Sequence, residues 1–210
     1  PRGMPANIYN FNRYYWDCLS NFREYENTVK DIVQVSVDPR NPNHIMAASY
    51  WNGVVEVLDN KIIKVWDKDN TNNVLSESYG YRVIASQYDM SGNLLVANSL
   101  SSTALCYLNY RSEWGNFNTY GLIGQDETLG LLIDQVSGNF YKFLWTSSNK
   151  ILAINNNGQQ VIIDPNNGAK DQSNKINCMI QDKEGEIWIG TDKGIKVIYS
   201  FVCSNPNFAF

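Results

Sequence analysis

Histidine is almost absent from this chain of 210 residues: His44 stands alone, in the run Asp38-Pro-Arg-Asn-Pro-Asn-His44. A catalytic histidine needs a nucleophile and an orienting group close in space, and no local motif supplies either. His44 therefore reads as a turn or strand-entry residue. Cysteine is scarce too. Cys18, Cys106, Cys178 and Cys203 are 88, 72 and 25 residues apart, with no Cys-x-x-Cys pair and no second histidine to complete a zinc site. Cys106 and Cys178 sit inside apolar runs and are expected in buried strand packing. A bridge such as Cys18–Cys203 would need an oxidising compartment. There is no excess of basic residues: Lys and Arg number 17 against 21 Asp and Glu, for a net charge of −4. That excludes an electrostatic case for nucleic acid. No apolar run approaches the roughly 18–20 residues of a membrane span. Also missing are Gly-x-Ser-x-Gly, a phosphate-cradling glycine loop and His-Glu-x-x-His. The opening Pro-Arg-Gly-Met-Pro-Ala-Asn lacks an export-signal pattern, which fits a signal already removed or a longer parent.

What the chain has is asparagine, 28 residues of it, together with 13 Tyr, 8 Phe and 6 Trp. It also repeats itself. An Asp followed by a short turn and a strand-like run recurs at Asp38, Asp89, Asp134 and Asp182, in steps of 51, 45 and 48. In three of these a glycine, Gly92, Gly138 or Gly185, gives the turn its left-handed residue. A second set of landmarks, Trp16-Asp17, Trp66-Asp67, Trp114-Gly115 and Ile163-Asp164, runs out of phase at intervals of 50, 48 and 49. Two independent landmarks with one period of about 48 establish a repeat.

Each unit offers about four short strands. The first has 32–37, 45–50, 54–58 and 61–66, with the hairpin signal Asn52-Gly53 between its second and third. The second has 82–88, 94–98, 104–108 and 113–118. The third has 131–134, 140–146, 150–154 and 160–163, and the fourth has 176–181, 187–190 and 195–199. No ten-residue stretch shows a helical apolar stripe. Four antiparallel strands per unit of this length predict an all-β fold, a β-propeller of four-stranded antiparallel blades. A blade has two apolar faces and cannot bury both alone, so neighbours must stack. The predicted organisation is the end of a preceding blade at 1–28, blades at 29–80, 81–120 and 121–170, and a partial blade at 171–210. The run is expected to be part of a larger ring.

The segment Asp182-Lys-Glu-Gly185-Glu-Ile-Trp188-Ile-Gly-Thr-Asp-Lys-Gly-Ile resembles the two-component regulator propeller repeat, with weaker copies at Asp89 and Asp134. The stretch from Val35 to Glu56, followed by Asp69-Asn70-Thr71, is similar to the PorZ-type propeller proteins of the type IX secretion attachment complex. At Leu94-Leu95 the repeat's usual Trp is replaced. The resemblance implies a Bacteroidetes envelope protein, exported to the periplasm or the outer cell surface. It implies a non-catalytic module that binds glycan or lipopolysaccharide and other secretion or signalling proteins. The alternative it implies is the periplasmic ligand-binding sensor domain of a hybrid two-component histidine kinase. Neither family supplies catalytic residues or a cofactor.

Other readings are weaker. A propeller enzyme would need paired carboxylates at its mouth. Asp126, Glu127, Glu56 and Asp59 are candidates that read equally well as solvated charges. A WD-repeat scaffold wants a Gly-His early in each unit, which one histidine cannot supply. The oxygen-rich Asp164-Pro-Asn-Asn-Gly168 lacks alternating calcium ligands and reads as a tight turn, so no metal is expected. The tryptophans are expected mostly in packing between blades. Trp51, next to its turn, is the one expected at a surface. Tyr50 and Trp51, with Arg40 and His44, form the candidate ligand-facing patch.

Overall fold

The computed structural model describes residues 7–10, 15–75, 82–138, 140–165 and 175–199, with backbone alone for 7–10 and 15–18. A two-stranded ladder of β1 (Asn7–Asn10) and β2 (Tyr15–Cys18) leads to one helical turn, α1 (Phe22–Tyr25). The first full sheet is β3 (Ile32–Asp38), β4 (Asn41–Ser49), β5 (Gly53–Leu58) and β6 (Lys61–Trp66). The second is β7 (Val83–Tyr88), β8 (Leu94–Asn98), β9 (Leu105–Leu108) and β10 (Trp114–Phe117). After the short turn α2 (Tyr120–Ile123) comes the third, β11 (Thr128–Ile133), β12 (Lys142–Thr146), β13 (Ile151–Ile154) and β14 (Gln160–Ile163). A three-stranded sheet follows: β15 (Ile176–Gln181), β16 (Ile187–Thr191) and β17 (Gly194–Ile198). Every sheet is an antiparallel meander in sequence order. This is a partial β-propeller.

Alternation along each strand sends side chains to both faces, and the sheets bury them against each other. Met46, Val54, Trp66, Leu94, Val96 and Cys106 pack between the first two blades. Leu95, Leu105, Leu131, Leu144 and Ile154 fill the next layer, and Phe143, Trp145, Ile151, Met179, Ile187 and Ile189 the third. The outer face of the first blade is covered by Leu19, Val29 and the α1 turn.

The leading strands β3, β7, β11 and β15 lie side by side and are tied by glutamine side chains. Gln34 Oε1 accepts from the Ser86 amide at 3.1 Å, Gln87 Oε1 from the Ile133 amide at 3.2 Å, and Gln181 Oε1 from the Gln135 amide at 2.9 Å. Amides of the leading strands, and one just past β11, are satisfied in this way instead of by a ladder.

The burial expected for both internal cysteines holds for one. Cys106 is fully buried, and desolvation pushes its thiol up to about 12. Cys178 is exposed. Its partner in register is Gly190, which faces Ile195, and Ile180 pairs with Trp188 in the same way. All share the side of the last sheet against which no described sheet packs, so Ile180 and Ile195 are exposed at 64% and 70%. An apolar run in a strand shows which residues alternate, not whether the second face has a neighbour. The same geometry leaves Trp188 partly open, while Trp66 and Trp145 are buried and Trp114 half-buried. Cys203, residues 166–168 of the oxygen-rich turn and the Trp16 side chain lie outside the described set. Among the described residues no helix is long and apolar enough to cross a membrane.

Candidate ligand-binding surfaces

One end of the blades is built from a repeated turn. At Asp89, Asn109, Asn155 and Asp182 the side-chain oxygen accepts the amides two and four residues ahead, at 2.8–3.0 Å. The residue three ahead is left-handed in each: Gly92, Ser112, Gly158 and Gly185. This is a type I turn with a bulged residue, closing a hairpin. The Asp89 and Asp182 copies were legible as repeats. The Asn109 and Asn155 copies close the outer hairpins and were missed, because Asn replaces Asp and Ser112 replaces one glycine. At Asp134 burial pushes the carboxyl up, but hydrogen bonds from Gln181, Ser137 and the Ser137 and Val136 amides outweigh it and hold it low.

Asp38, Arg40 and His44 meet at this same end. Arg40 Nε and Nη2 donate to the two oxygens of Asp38, each at 2.9 Å, and its amide donates to Oδ1 at 2.9 Å. His44 lies between two carboxylates, with Nδ1 3.1 Å from Asp38 Oδ2 and Nε2 2.8 Å from Glu56 Oε1. Glu56 Oε2 accepts the Trp66 indole N–H at 2.8 Å, and Lys64 lies 3.4 Å over the Trp66 ring. Both oxygens of Glu56 are thus engaged. Two carboxylates orient the imidazole, which the local sequence had not suggested, and no described nucleophile joins them. Beside this cluster a groove of about 440 Å3 runs between the leading strands, lined by the polar Ser36, Gln87, Asp89 and Gln135 and by Val37, Pro39, Tyr88 and Met90. Gln87 Oε1 accepts from the Ile133 amide, Gln135 Nε2 donates to the Tyr88 carbonyl, Ser36 is bound to Ser86 and both Asp89 oxygens are held by its own turn, so the surface left free is mainly apolar.

Tyr50 and Trp51 are at the other end. They follow the last residue of β4, seven residues or about 20 Å of extended strand from His44. The four residues expected in one patch therefore form two separate groups. Here too a bond repeats: the Tyr50, Ser99, Ser147 and Asp192 amides donate to the carbonyls of Asp31, Arg82, Glu127 and Lys175, at 2.8–3.1 Å. It joins the turn between each blade's second and third strands to the entry of its first. The Tyr50 and Trp51 rings meet edge to face, 5.0 Å apart at 86°, and Trp51 is 45% exposed. The Arg82 guanidinium, from the entry of the next blade, lies 5.5 Å from the Tyr50 centroid and 5.7 Å from that of Trp51. Arg82 was not singled out from the sequence, since 31 positions separate it from Trp51. Asp126, on this end, accepts from the Ser147 hydroxyl at 3.1 Å and from Ser148.

The family model described as a two-component regulator propeller matches residues 171–193, which include the Asp182 turn and β16. Among solved structures the chain is similar to PorZ, described as an essential bacterial surface component of the type IX secretion system of Porphyromonas gingivalis. The two are 18% identical over 96% of this chain and 30% of that one, with a TM-score of 0.75. It is also similar to the extracellular domain of BT4673, a putative hybrid two component system of B. thetaiotaomicron. There the identity is 14% over 92% of this chain and 26% of that one, with a TM-score of 0.62. The WD40 β-propeller domain of Doa1 gives 11% identity over 79% of this chain and 49% of that one, at 0.54. No curated protein sequence matches. These likenesses show the fold, and the chain spans less than half the length of each of these structures.

Proposed function

We propose that this chain is a non-catalytic propeller module of an exported Bacteroidetes envelope protein, acting in the periplasm or at the outer surface. In this reading it binds a glycan or lipopolysaccharide and serves partner proteins of a secretion complex. The observation that carries the reading is Trp51, a large aromatic held half-open at a turn and fixed edge-on by Tyr50. Exposed aromatics of this kind offer a flat apolar face to the C–H side of a sugar ring, with little entropy to lose. Two of the four acids considered for catalysis are engaged within the protein, Glu56 by His44 and Trp66 and Asp126 by two serines.

A glycan and lipopolysaccharide array probed with the chain tests this. Binding to at least one saccharide, weakened tenfold or more by Trp51→Ala, is expected. Silence across the array would overturn it. The match of 171–193 to the regulator propeller favours a second reading, a sensor domain of a hybrid two-component system. A kinase encoded beyond Phe210 would decide for the sensor, and a β-sandwich sorting domain for the attachment protein.

A further inference from the structure

Arginines in this chain differ in what they face. Arg40 is paired with Asp38, and Arg111 is exposed against Tyr110. Arg82 is half-buried, and no carboxylate among the described residues forms an ion pair with it. Its Nε is shielded from solvent and has no hydrogen-bond partner. A partly desolvated cation without an anion is costly, and so is a shielded N–H without an acceptor. The faces of Tyr50 and Trp51 offset part of this through their ring quadrupoles, at 5.5 and 5.7 Å. Rings do not accept the directed hydrogen bonds of a guanidinium fork.

The corner is also rigid. The Asn52 side chain accepts from the Lys30 amide at 3.1 Å, the Ser49 hydroxyl donates to the Lys30 carbonyl at 2.5 Å, and the Asn52 amide donates to Ser49 Oγ at 3.1 Å. On the Arg82 side the Ser99 amide holds the Arg82 carbonyl at 2.8 Å. The flanking charges on the turn's own blade, Lys30 and Asp31, are exposed and of opposite sign. Among the described residues of the corner, Arg82 thus sets the net sign.

We propose that the Tyr50–Trp51–Arg82 corner recognises a carboxylated saccharide, with a sugar ring on the open face of Trp51 and its carboxylate on Arg82. This rests on the glycan-binding reading above and adds the ligand's class. Because Nε is shielded, the carboxylate meets the terminal Nη pair, whose end-on geometry and single charge a planar carboxylate matches. A phosphate ester carries about −1.5 to −2 charges and calls for more than one cation.

Calorimetry on the purified chain, with trigalacturonic acid, its neutral methyl ester and mannose 6-phosphate as probes, tests the proposal. The acid is expected to bind at least tenfold more tightly than the ester, and this preference should shrink as salt rises from 50 to 500 mM. Arg82→Gln should abolish the preference while leaving ester binding within about twofold, and Arg82→Lys should restore only part of it. The salt series needs no variant, so it stands even where Arg82→Gln folds poorly. Equal affinity for acid and ester, a preference that survives Arg82→Gln, or tighter binding of the phosphate would each overturn the proposal and leave the glycan reading intact. Binding of none of the probes, with silence on the array, overturns both.

Discussion

His44 Nε2 lies 2.8 Å from Glu56 Oε1 across the β4–β5 pair, two residues out of register, since His44 itself faces Leu58. The other ring nitrogen faces Asp38 at 3.1 Å, so the imidazole separates two carboxylates contributed by β3 and β5. Removing it leaves those carboxylates partly buried, facing each other without the ring that bridges them. His44→Ala is therefore expected to cost about 2–3 kcal/mol at pH 7, as for other broken, partly buried charged networks. Urea unfolding reads this directly. A loss under about 0.5 kcal/mol, as for ordinary surface changes, would show that the contacts carry no stability.

Asp38 should dominate the acid limb of stability. The Arg40 side-chain hydrogen bonds, against the opposing push of burial, hold its carboxyl far below the usual carboxylate range. With the folded value depressed, the unfolded chain binds the proton first as pH falls. The contribution of Asp38 is therefore whole above about pH 4, its unfolded range, and is lost as pH drops toward the folded value. Asp38→Asn should be clearly less stable than the wild type at pH 7, and the gap should narrow by pH 2.5. Urea midpoints at both pH values check this, and a gap that stayed constant would refute the assignment.

Two left-handed glycines separate backbone strain from crowding. A Cβ on Gly158 (φ +76°) meets nothing within 4 Å, whereas one on Gly92 (φ +80°) comes 2.8 Å from the Arg40 guanidinium. Gly158→Ala should cost about 1 kcal/mol, the strain of a left-handed alanine. Gly92→Ala must also push Arg40 off Asp38, so about 2 kcal/mol is expected from strain plus a weakened charged hydrogen bond. Equal urea midpoints for the two variants would show that Arg40 moves aside without loss.

Much of this fold was readable because its signals are local. Strands 61–66, 94–98, 160–163 and 176–181 fall where alternation and turn residues placed them. The leading Asp of each repeat has its cause in amides two to four residues away, which lie in the same short window of sequence. Register is not local. That Glu56 meets His44 and Trp66, when it reads in isolation as a solvated acid, depends on how β4, β5 and β6 align. The Tyr50–Trp51–Arg82 corner depends on the stacking of one blade on the next, and no spacing rule links 51 to 82. The patch drawn from neighbours in sequence was split for the same reason: an extended strand carries nearby residues to opposite ends of a blade.

The four hairpin turns also predict an asymmetry between Asp and Asn. In the Asn155 turn the side-chain oxygen accepts from the Asn157 and Gln159 amides at 3.0 and 2.9 Å, and Nδ2 donates to Gln159 Oε1 at 2.7 Å. Asn155→Asp keeps the accepting oxygen, and rotation of the Gln159 amide turns its NH2 toward the new one. A change within about 0.5 kcal/mol is expected, the range of neutral surface substitutions. In the Asp182 turn both oxygens accept: Oδ1 from the Glu184 and Glu186 amides, and Oδ2 from the Trp188 indole N–H at 2.7 Å. Asp182→Asn places an NH2 group against the indole N–H, two donors face to face with no acceptor between them. It should lower the urea midpoint more than Asn155→Asp does, because one hydrogen bond is lost, and shift the Trp188 fluorescence. Equal tolerance of both substitutions would mean that the indole contact adds nothing to the turn, leaving only its two backbone amides to hold it.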